Sequence, residues 1–235
     1  VRSLLRIKLL HDEVEARNAL LRQVLTRYMA EGVVETILTN PDRYLRLGGE
    51  TRPVTVLFAD IRGFTAFTEQ HGGQQVVEAL NSIFPDLTRL IFAHRGTCDK
   101  YLGDAIMAFW GAPLANDDDT FQSVKAAVEM RDTFRQVCAA QGGYLAKLGL
   151  GIGLNTGEAT VGNIGSEKVM DYTVIGDTVN VARRLQESAQ AGEILISEAT
   201  YNAVKDQVRA ERLEARSLHG RRDPVVVYAL KEVGD

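Results

Sequence analysis

Long hydrophobic runs are missing from this chain of 235 residues. No apolar stretch approaches the ~20 residues a helix needs to cross a bilayer, and no secretory leader is visible. Direct membrane insertion is therefore not expected, and a cytoplasmic location is. Sulfur is scarce as well. The two cysteines, Cys98 and Cys138, show no metal-ligand spacing, and the four histidines do not cluster. Both thiols read as packing residues of a reducing compartment. Positive charge is not in excess: the formal net charge is −4 and the isoelectric point about 5.7. A nucleic-acid binder working through a basic surface is thereby disfavoured. There is no internal repeat and no low-complexity segment. What is present, 45% apolar and 25% charged residues, is ordinary for a globular protein with one sizeable domain and an appendage.

The appendage is residues 1–43. Ile7, Leu10, Val14, Arg17, Leu21, Val24 and Tyr28 recur at alternating spacings of three and four, a coiled-coil seam broken once by Arg17. Two readings stay open: an amphipathic helix packed on its own domain, or a parallel dimeric stalk carrying a signal from an upstream sensor. The chain begins with Val, so it is expected to be part of a longer protein. Asn40-Pro41-Asp42 ends the helical region, and Leu47-Gly48-Gly49-Glu50 reads as a linker turn.

Residues 44–235 carry a globular pattern. Val54 to Ala59 is a nearly continuous β-rich apolar run, as in a central strand buried on both faces. The spacing predicts a helix from Gly73 to Ala93 with Val76, Val77, Leu80, Ile83, Phe84, Leu87 and Ile91 on one face, irregular at Pro85. Thr97 to Tyr101 and Ala105 to Trp110 read as a hairpin turning at Leu102-Gly103-Asp104. Asn116 to Asp119 reads as a helix cap rather than a metal site. Further strands are expected at Leu148–Asn155, with Glu158–Ile164 and Val169–Ile175 as a second hairpin. A helix from Asp177 to Ala189 follows. Glu193–Ile196, Ser197–Val204 and Val225–Leu230 close the domain as strand, helix and strand. This order describes an α+β, ferredoxin-like βαββαβ core with additions, in which the first strand lies beside the hairpin.

Two aspartates stand out in that frame: Asp60 in V-T-V-L-F-A-D-I-R-G-F-T and Asp104 in C-D-K-Y-L-G-D-A-I-M-A-F-W. Each sits where an apolar strand ends or turns, near a glycine that permits close backbone approach. Paired carboxylates at adjoining strand ends suit Mg²⁺ or Mn²⁺ held against a polyphosphate, because hard cations take oxygen ligands. The residue-level reading is a metal-dependent nucleotide enzyme. A capping role for Asp60 and a turn role for Asp104 are the plain alternatives.

F-A-D-I-R-G-F-T, D-K-Y-L-G-D-A-I-M-A-F-W-G and Y-T-V-I-G-D-T-V-N-V-A-R-R-L, in that order, resemble the class III nucleotidyl cyclases over about residues 44–230. The resemblance implies that Asp60, Asp104 and the carbonyl of Ile61 hold two divalent metals, Mg²⁺ or Mn²⁺, about 3.5–4 Å apart. It implies that one metal activates the ribose 3′-hydroxyl while the other neutralises the leaving pyrophosphate. Backbone N–H groups around Gly63, Phe64 and Thr65 would meet the phosphates. Lys100 and Thr173 match the positions that read the purine. A lysine there favours ATP over GTP, since adenine N1 accepts a hydrogen bond and guanine N1 donates one. Thr173 resembles the threonine-bearing subset of the family. Asn180 would orient the ribose and Arg184 stabilise charge on the α-phosphoryl group, with Arg183 as its competitor in a shifted register. Arg221, in His219-Gly220-Arg221, falls near the expected terminal phosphates. The resemblance further implies a head-to-tail homodimer with two shared sites, metal aspartates from one subunit and the remaining groups from its partner. V-R-S-L-L-R-I-K-L-L-H-D-E is similar to the end of a response-regulator receiver domain, which would place a phosphorylated sensor upstream.

Three competing functions are weighed against this adenylyl cyclase reading. A guanylyl cyclase would carry a different base-reading pair. A non-catalytic nucleotide-binding module would have lost a metal aspartate. A polymerase or diguanylate cyclase would show a G-G-[DE]-E-F-like hairpin, which this sequence lacks.

Overall fold

Consecutive apolar residues in a strand require cover on both faces, and strand β1 (Gly48–Arg62) has it. The computed structural model describes residues 2–26, 31–41, 46–166, 169–214 and 225–234. Helices α1 (Arg2–Leu25) and α2 (Glu31–Thr39) precede β1. After it come α3 (Phe64–Gln70), α4 (Gly73–Ala93), the hairpin β2 (Thr97–Leu102) and β3 (Ala105–Trp110), and α5 (Asp119–Gln141). The chain continues through β4 (Gly149–Gly165), β5 (Met170–Ile175), α6 (Asp177–Ser188), β6 (Ile194–Ser197), α7 (Glu198–Val204), β7 (Val208–Arg212) and β8 (Val227–Val233). The sheet runs β2-β3-β1-β4-β6-β8-β7, with β5 paired to β4 outside that path. The expected ferredoxin-like unit is the block β2-β3-β1-β4 with α4 and α5; the other described strands extend it.

Period-two alternation divides β1 between two cores. Leu57, Ala59 and Ile61 join Ile83, Leu87 and Ile91 of α4 and Val124, Met130 and Phe134 of α5. Val54, Val56 and Phe58 point the other way, toward Met107, Phe109, Val174 of β5 and Ala182 of α6. Extending the alternation places Asp60 and Arg62 on this second face. That face, roofed by β5 and α6, is the one that matters for chemistry.

Several expectations are corrected. Gly48 to Glu50 is the start of β1, not a linker turn, and pairs with Glu50↔Val161 and Gly48↔Asn163. The glycines there permit strand approach: a Cβ on Gly162 would lie 2.0 Å from the Gly48 carbonyl oxygen. Leu148–Asn155 and Glu158–Ile164 are one strand, β4; Gly157 marks no break but clears Thr178, whose Oγ1 donates to the Glu158 carbonyl at 2.6 Å. The hairpin of β4 with β5 forms as expected. Helix α4 continues unbroken through Pro85, which sits on its exposed side, where water can satisfy the freed carbonyl. Val77, expected on the buried face, is 50% exposed. Strand β7 was not expected; its alternating, mostly exposed residues give little apolar signal. At the start of α5 the N-cap is Asp118, whose side chain makes no cap hydrogen bond, while Asp119 in the first turn accepts from the Asn116 backbone N–H at 2.7 Å.

The seam of α1 does not pack on the domain. Ile7, Leu10, Val14 and Leu21 are 49–60% exposed, so the reading of an amphipathic helix buried against its own domain fails for these side chains. Tyr28, the side chain of Val24 and the 43/44 boundary lie outside the described residues.

Candidate functional site

Asp60 stands in register with Ala105 of β3 and Gly151 of β4. Its neighbour across the pair is therefore the residue directly after Asp104. Gly103 adopts φ 68°, the left-handed conformation that lets two residues turn the hairpin and set Asp104 at the strand end. Asp60 feels the charge of Asp104. Burial raises the Asp60 pKa above its ordinary value and Asp104 raises it further, while Arg62 pulls it down. Asp104 is also raised by burial, against its own backbone hydrogen bond and Arg62. Two partly desolvated carboxylates at adjoining strand ends are oxygen donors of the kind that could hold a hard divalent cation. Among the described residues no cluster of three or more His, Cys, Asp or Glu offers a competing metal site.

Arg62 was not singled out from sequence as a functional residue. Its Nη1 donates to Asp60 Oδ1 at 3.1 Å, and its Nη2 donates to the backbone carbonyl of Gln186 at the end of α6. Its Nε is buried without a partner among the described residues. Gly151 makes room for it, since a Cβ there would meet Nε at 2.6 Å. Gly153 does the same for α6, where a Cβ would fall 2.2 Å from the Gln186 nitrogen.

Gly63, at φ 87°, is the N-cap of α3. Phe64 is buried in the main core and Thr65 is exposed. In an α-helix the first N–H groups lack intrahelical partners, and Gly63 to Thr65 supply those groups at the start of α3, directly after the end of β1.

Lys100 and Thr173 come together although they lie on β2 and β5. The link is Asp99, whose side chain is 1% exposed. Thr173 Oγ1 donates to Asp99 Oδ2 at 2.5 Å. Lys100 Nζ lies 3.3 Å from Asp99 Oδ1 and 3.2 Å from Asp171 Oδ2. Burial raises the Asp99 pKa, opposed by Thr173 and Lys100. Burial works against the Lys100 ammonium, but the two aspartates outweigh it and raise its pKa. A register shift between Cys98 and Lys100 explains how adjacent residues reach one pocket. A bulge adds a residue and re-aims side chains that would otherwise alternate.

Asn180 and Arg184 lie one turn apart on α6, exposed and half-buried respectively. Among the described residues neither side chain has a hydrogen-bond or ion-pair partner, whereas Arg183 is engaged with Glu187 at 3.2 Å. Arg221 lies outside the described residues.

A family profile described as the adenylate and guanylate cyclase catalytic domain matches residues 49–232. The chain belongs to the class III nucleotidyl cyclases. Adenylate cyclase 1 of Rhizobium meliloti is 31% identical over 178 residues, covering 74% of this chain and 27% of that protein. The crystal structure of the adenylyl cyclase CyaB from P. aeruginosa superposes with a TM-score of 0.75 at 36% identity, over 79% of this chain and 97% of that one. The guanylyl cyclase Cya2 gives 0.75 at 38%, over 80% and 96%. The chain spans about a third or less of the curated relatives it matches. Cyclase neighbours thus include enzymes named for either purine, and the base preference must come from the residues of this chain. Asp99 and Arg62 were legible only as a charge before Lys100 and a charge after Ile61; nothing in their spacing marked the contacts they make.

Proposed function

We propose that this chain is the catalytic unit of a cytoplasmic adenylyl cyclase, converting ATP to 3′,5′-cyclic AMP and pyrophosphate in a head-to-tail homodimer. The observation that carries the choice of ATP is the Lys100 ammonium, held at the base-reading position between two aspartates and beside Thr173. An ammonium donates to adenine N1; against guanine it would face an N–H donor and stay unsatisfied.

In the reaction the ribose 3′-oxygen attacks the α-phosphorus in line. The O3′–P bond forms, the bond from phosphorus to the bridging oxygen of the β-phosphate breaks, and the 3′-proton leaves. Asp60, Asp104 and the Ile61 carbonyl would hold two divalent cations, which when bound lower the 3′-hydroxyl pKa and neutralise the polyphosphate. Asn180 orients the ribose. Arg184, without a side-chain partner among the described residues, donates to the α-phosphoryl oxygens as charge builds on them. The backbone from Gly63 to Thr65 and, outside the described residues, Arg221 meet the phosphates. Catalysis is mostly positioning and charge stabilisation.

Residues 1–43 serve as the stalk that couples residues 44–235 to an upstream sensor or receiver domain. The exposed seam of α1 supports pairing with a second copy. Head-to-tail pairing would let the metal carboxylates of one subunit meet Lys100, Thr173, Asn180 and Arg184 of the other, giving two equivalent sites.

The test is cyclic nucleotide production from ATP and GTP, with Mg²⁺ and Mn²⁺, across protein concentration. Cyclic AMP from ATP, with specific activity rising on dimerisation, is the expected result; cyclic GMP as the main product would reverse the base assignment. Asp60→Ala and Asp104→Ala should each abolish turnover, and Arg184→Ala should lower kcat by about 10²–10³-fold. Mixing Asp104→Ala with Arg184→Ala should restore roughly a quarter of wild-type activity, because random pairing makes half of the dimers mixed and each holds one intact site. No rescue in verified heterodimers would sink the shared-site reading.

A further inference from the structure

Asp99 is a charged side chain that the reaction does not use, buried where a carboxylate is costly. It is the residue at which β2 bulges, so the backbone is irregular in order to place it. Its Oδ2 takes the Thr173 proton. Its Oδ1 lies 3.3 Å from the Lys100 ammonium, yet has no hydrogen-bond partner in alignment among the described residues. An aspartate placed only for packing would gain nothing from this arrangement.

The consequence lies in the arithmetic of a hydroxyl. Threonine has one proton to donate and two lone pairs to accept with. A carboxylate is acceptor-only, so the Thr173 proton is committed to Asp99 and the remaining capacity of Oγ1 is to accept. The two purines differ at the 6-position in that sense: adenine carries an amino donor, guanine a carbonyl acceptor. We propose that Asp99 sets the purine specificity of the site, by fixing the Thr173 hydroxyl as an acceptor that admits the 6-amino group of adenine and rejects the 6-carbonyl of guanine. Lys100 discriminates at N1; Asp99, acting through Thr173, discriminates at the neighbouring position. Asp99 is a positioning residue and touches no substrate atom.

This rests on the reading that Lys100 and Thr173 face the base. The experiment measures kcat/KM for ATP and GTP, and equilibrium binding of 3′-deoxy-ATP and 3′-deoxy-GTP, which bind but lack the nucleophile. Asp99→Asn keeps the shape but offers Thr173 either a donor or an acceptor, so the hydroxyl can turn toward guanine. The ATP-to-GTP ratio should fall about tenfold or more in both assays, through KM more than kcat. In a Thr173→Val background Asp99→Asn should change the ratio no further. An unchanged ratio in folded Asp99→Asn overturns the proposal, as does an equal effect of Asp99→Asn with and without the hydroxyl. If Asp99→Asn does not fold, Thr173→Ser and Thr173→Val decide: the serine should preserve the ratio and the valine lower it, and a preserved ratio in the valine variant overturns the proposal. A wild type that prefers GTP would overturn the ATP reading and this inference together. A wild type that prefers ATP, with variants that do likewise, overturns the role of Asp99 alone.

Discussion

Arg62 ties Asp60, a proposed metal ligand, to the end of α6, and replacing it with methionine isolates that work. The guanidinium gives one charged hydrogen bond to Asp60 and one to the Gln186 carbonyl, while its own Nε is unpaired among the described residues. Side chains 62 and 60 are 27% and 25% exposed, so the pair is only partly screened. A hydrogen bond to a charged group contributes about 1.5–3 kcal/mol, and a carbonyl left unpaired costs about 1–3 kcal/mol; relief of the buried Nε offsets part of the sum. The net loss in Arg62→Met is about 2 kcal/mol, or about 4–8 °C in Tm for a domain of this size. The pH dependence has a definite sign. Asp60 and Asp104 both have folded pKa values raised above 3.8. Between the unfolded value and the raised one, the native state binds more protons, so stability falls as pH rises through that window. Removing Arg62, which lowers both pKa values, widens the window and steepens the fall. Thermal unfolding from pH 4 to 8 in chelator, then with Mg²⁺ or Mn²⁺, checks this. The variant should lose most toward neutral pH and recover most on adding the cation. Parallel Tm–pH curves for wild type and variant, unaffected by metal, would refute both the pairing and the donor set.

Gly153→Ala places a Cβ 2.2 Å from the Gln186 nitrogen and 2.5 Å from the Ala182 carbonyl oxygen, both backbone atoms of α6. The helix must move away from β4, at a cost of about 1–3 kcal/mol for overpacking, and chemical denaturation should register it. Displacement of Asn180 and Arg184 with the helix should lower kcat more than it raises KM for ATP. The thiols of Cys98 and Cys138 are buried, and burial pushes their pKa values up to about 12 and about 11. Neither should react with an aromatic disulfide reagent at pH 8 in the native protein, while both should do so in denaturant; native-state labelling at the unfolded rate would contradict the packing.

What could be read in the chain was whatever a strand or helix writes locally. The hairpin Thr97–Leu102/Ala105–Trp110 and the helix at 73–93 follow from two short strand-like runs about a Gly-Asp turn and from an apolar stripe, and both lie where the pattern puts them. Glycine misled the reading twice, because it serves turns and close approaches alike. Gly49 and Gly162 let β1 run against β4, and Gly157 leaves space for Thr178; a single sequence does not separate those uses. The exposed strand β7 was invisible for a related reason, since an edge with one thin apolar face resembles a loop.

The candidate site divides along the same line. Asp60 and Asp104 stand out as carboxylates where apolar strands end or turn, whereas Lys100, Asn180 and Arg184 were marked by the resemblance to the class III cyclases. Arg62 and Asp99 follow apolar or polar neighbours in strands whose alternation assigns them a face but no partner. Their partners are the carbonyl of Gln186 and the hydroxyl of Thr173, 124 and 74 positions away. Both contacts cross from the β1-β3-β2 side of the sheet to the roof made by β5 and α6. That roof exists because Val56, Phe58, Met107 and Phe109 give it an apolar floor with Val174 and Ala182. The hydrophobic pattern that built the fold therefore also decides which charges meet, and the contacts that tune the site become visible only once the second face of the sheet is covered.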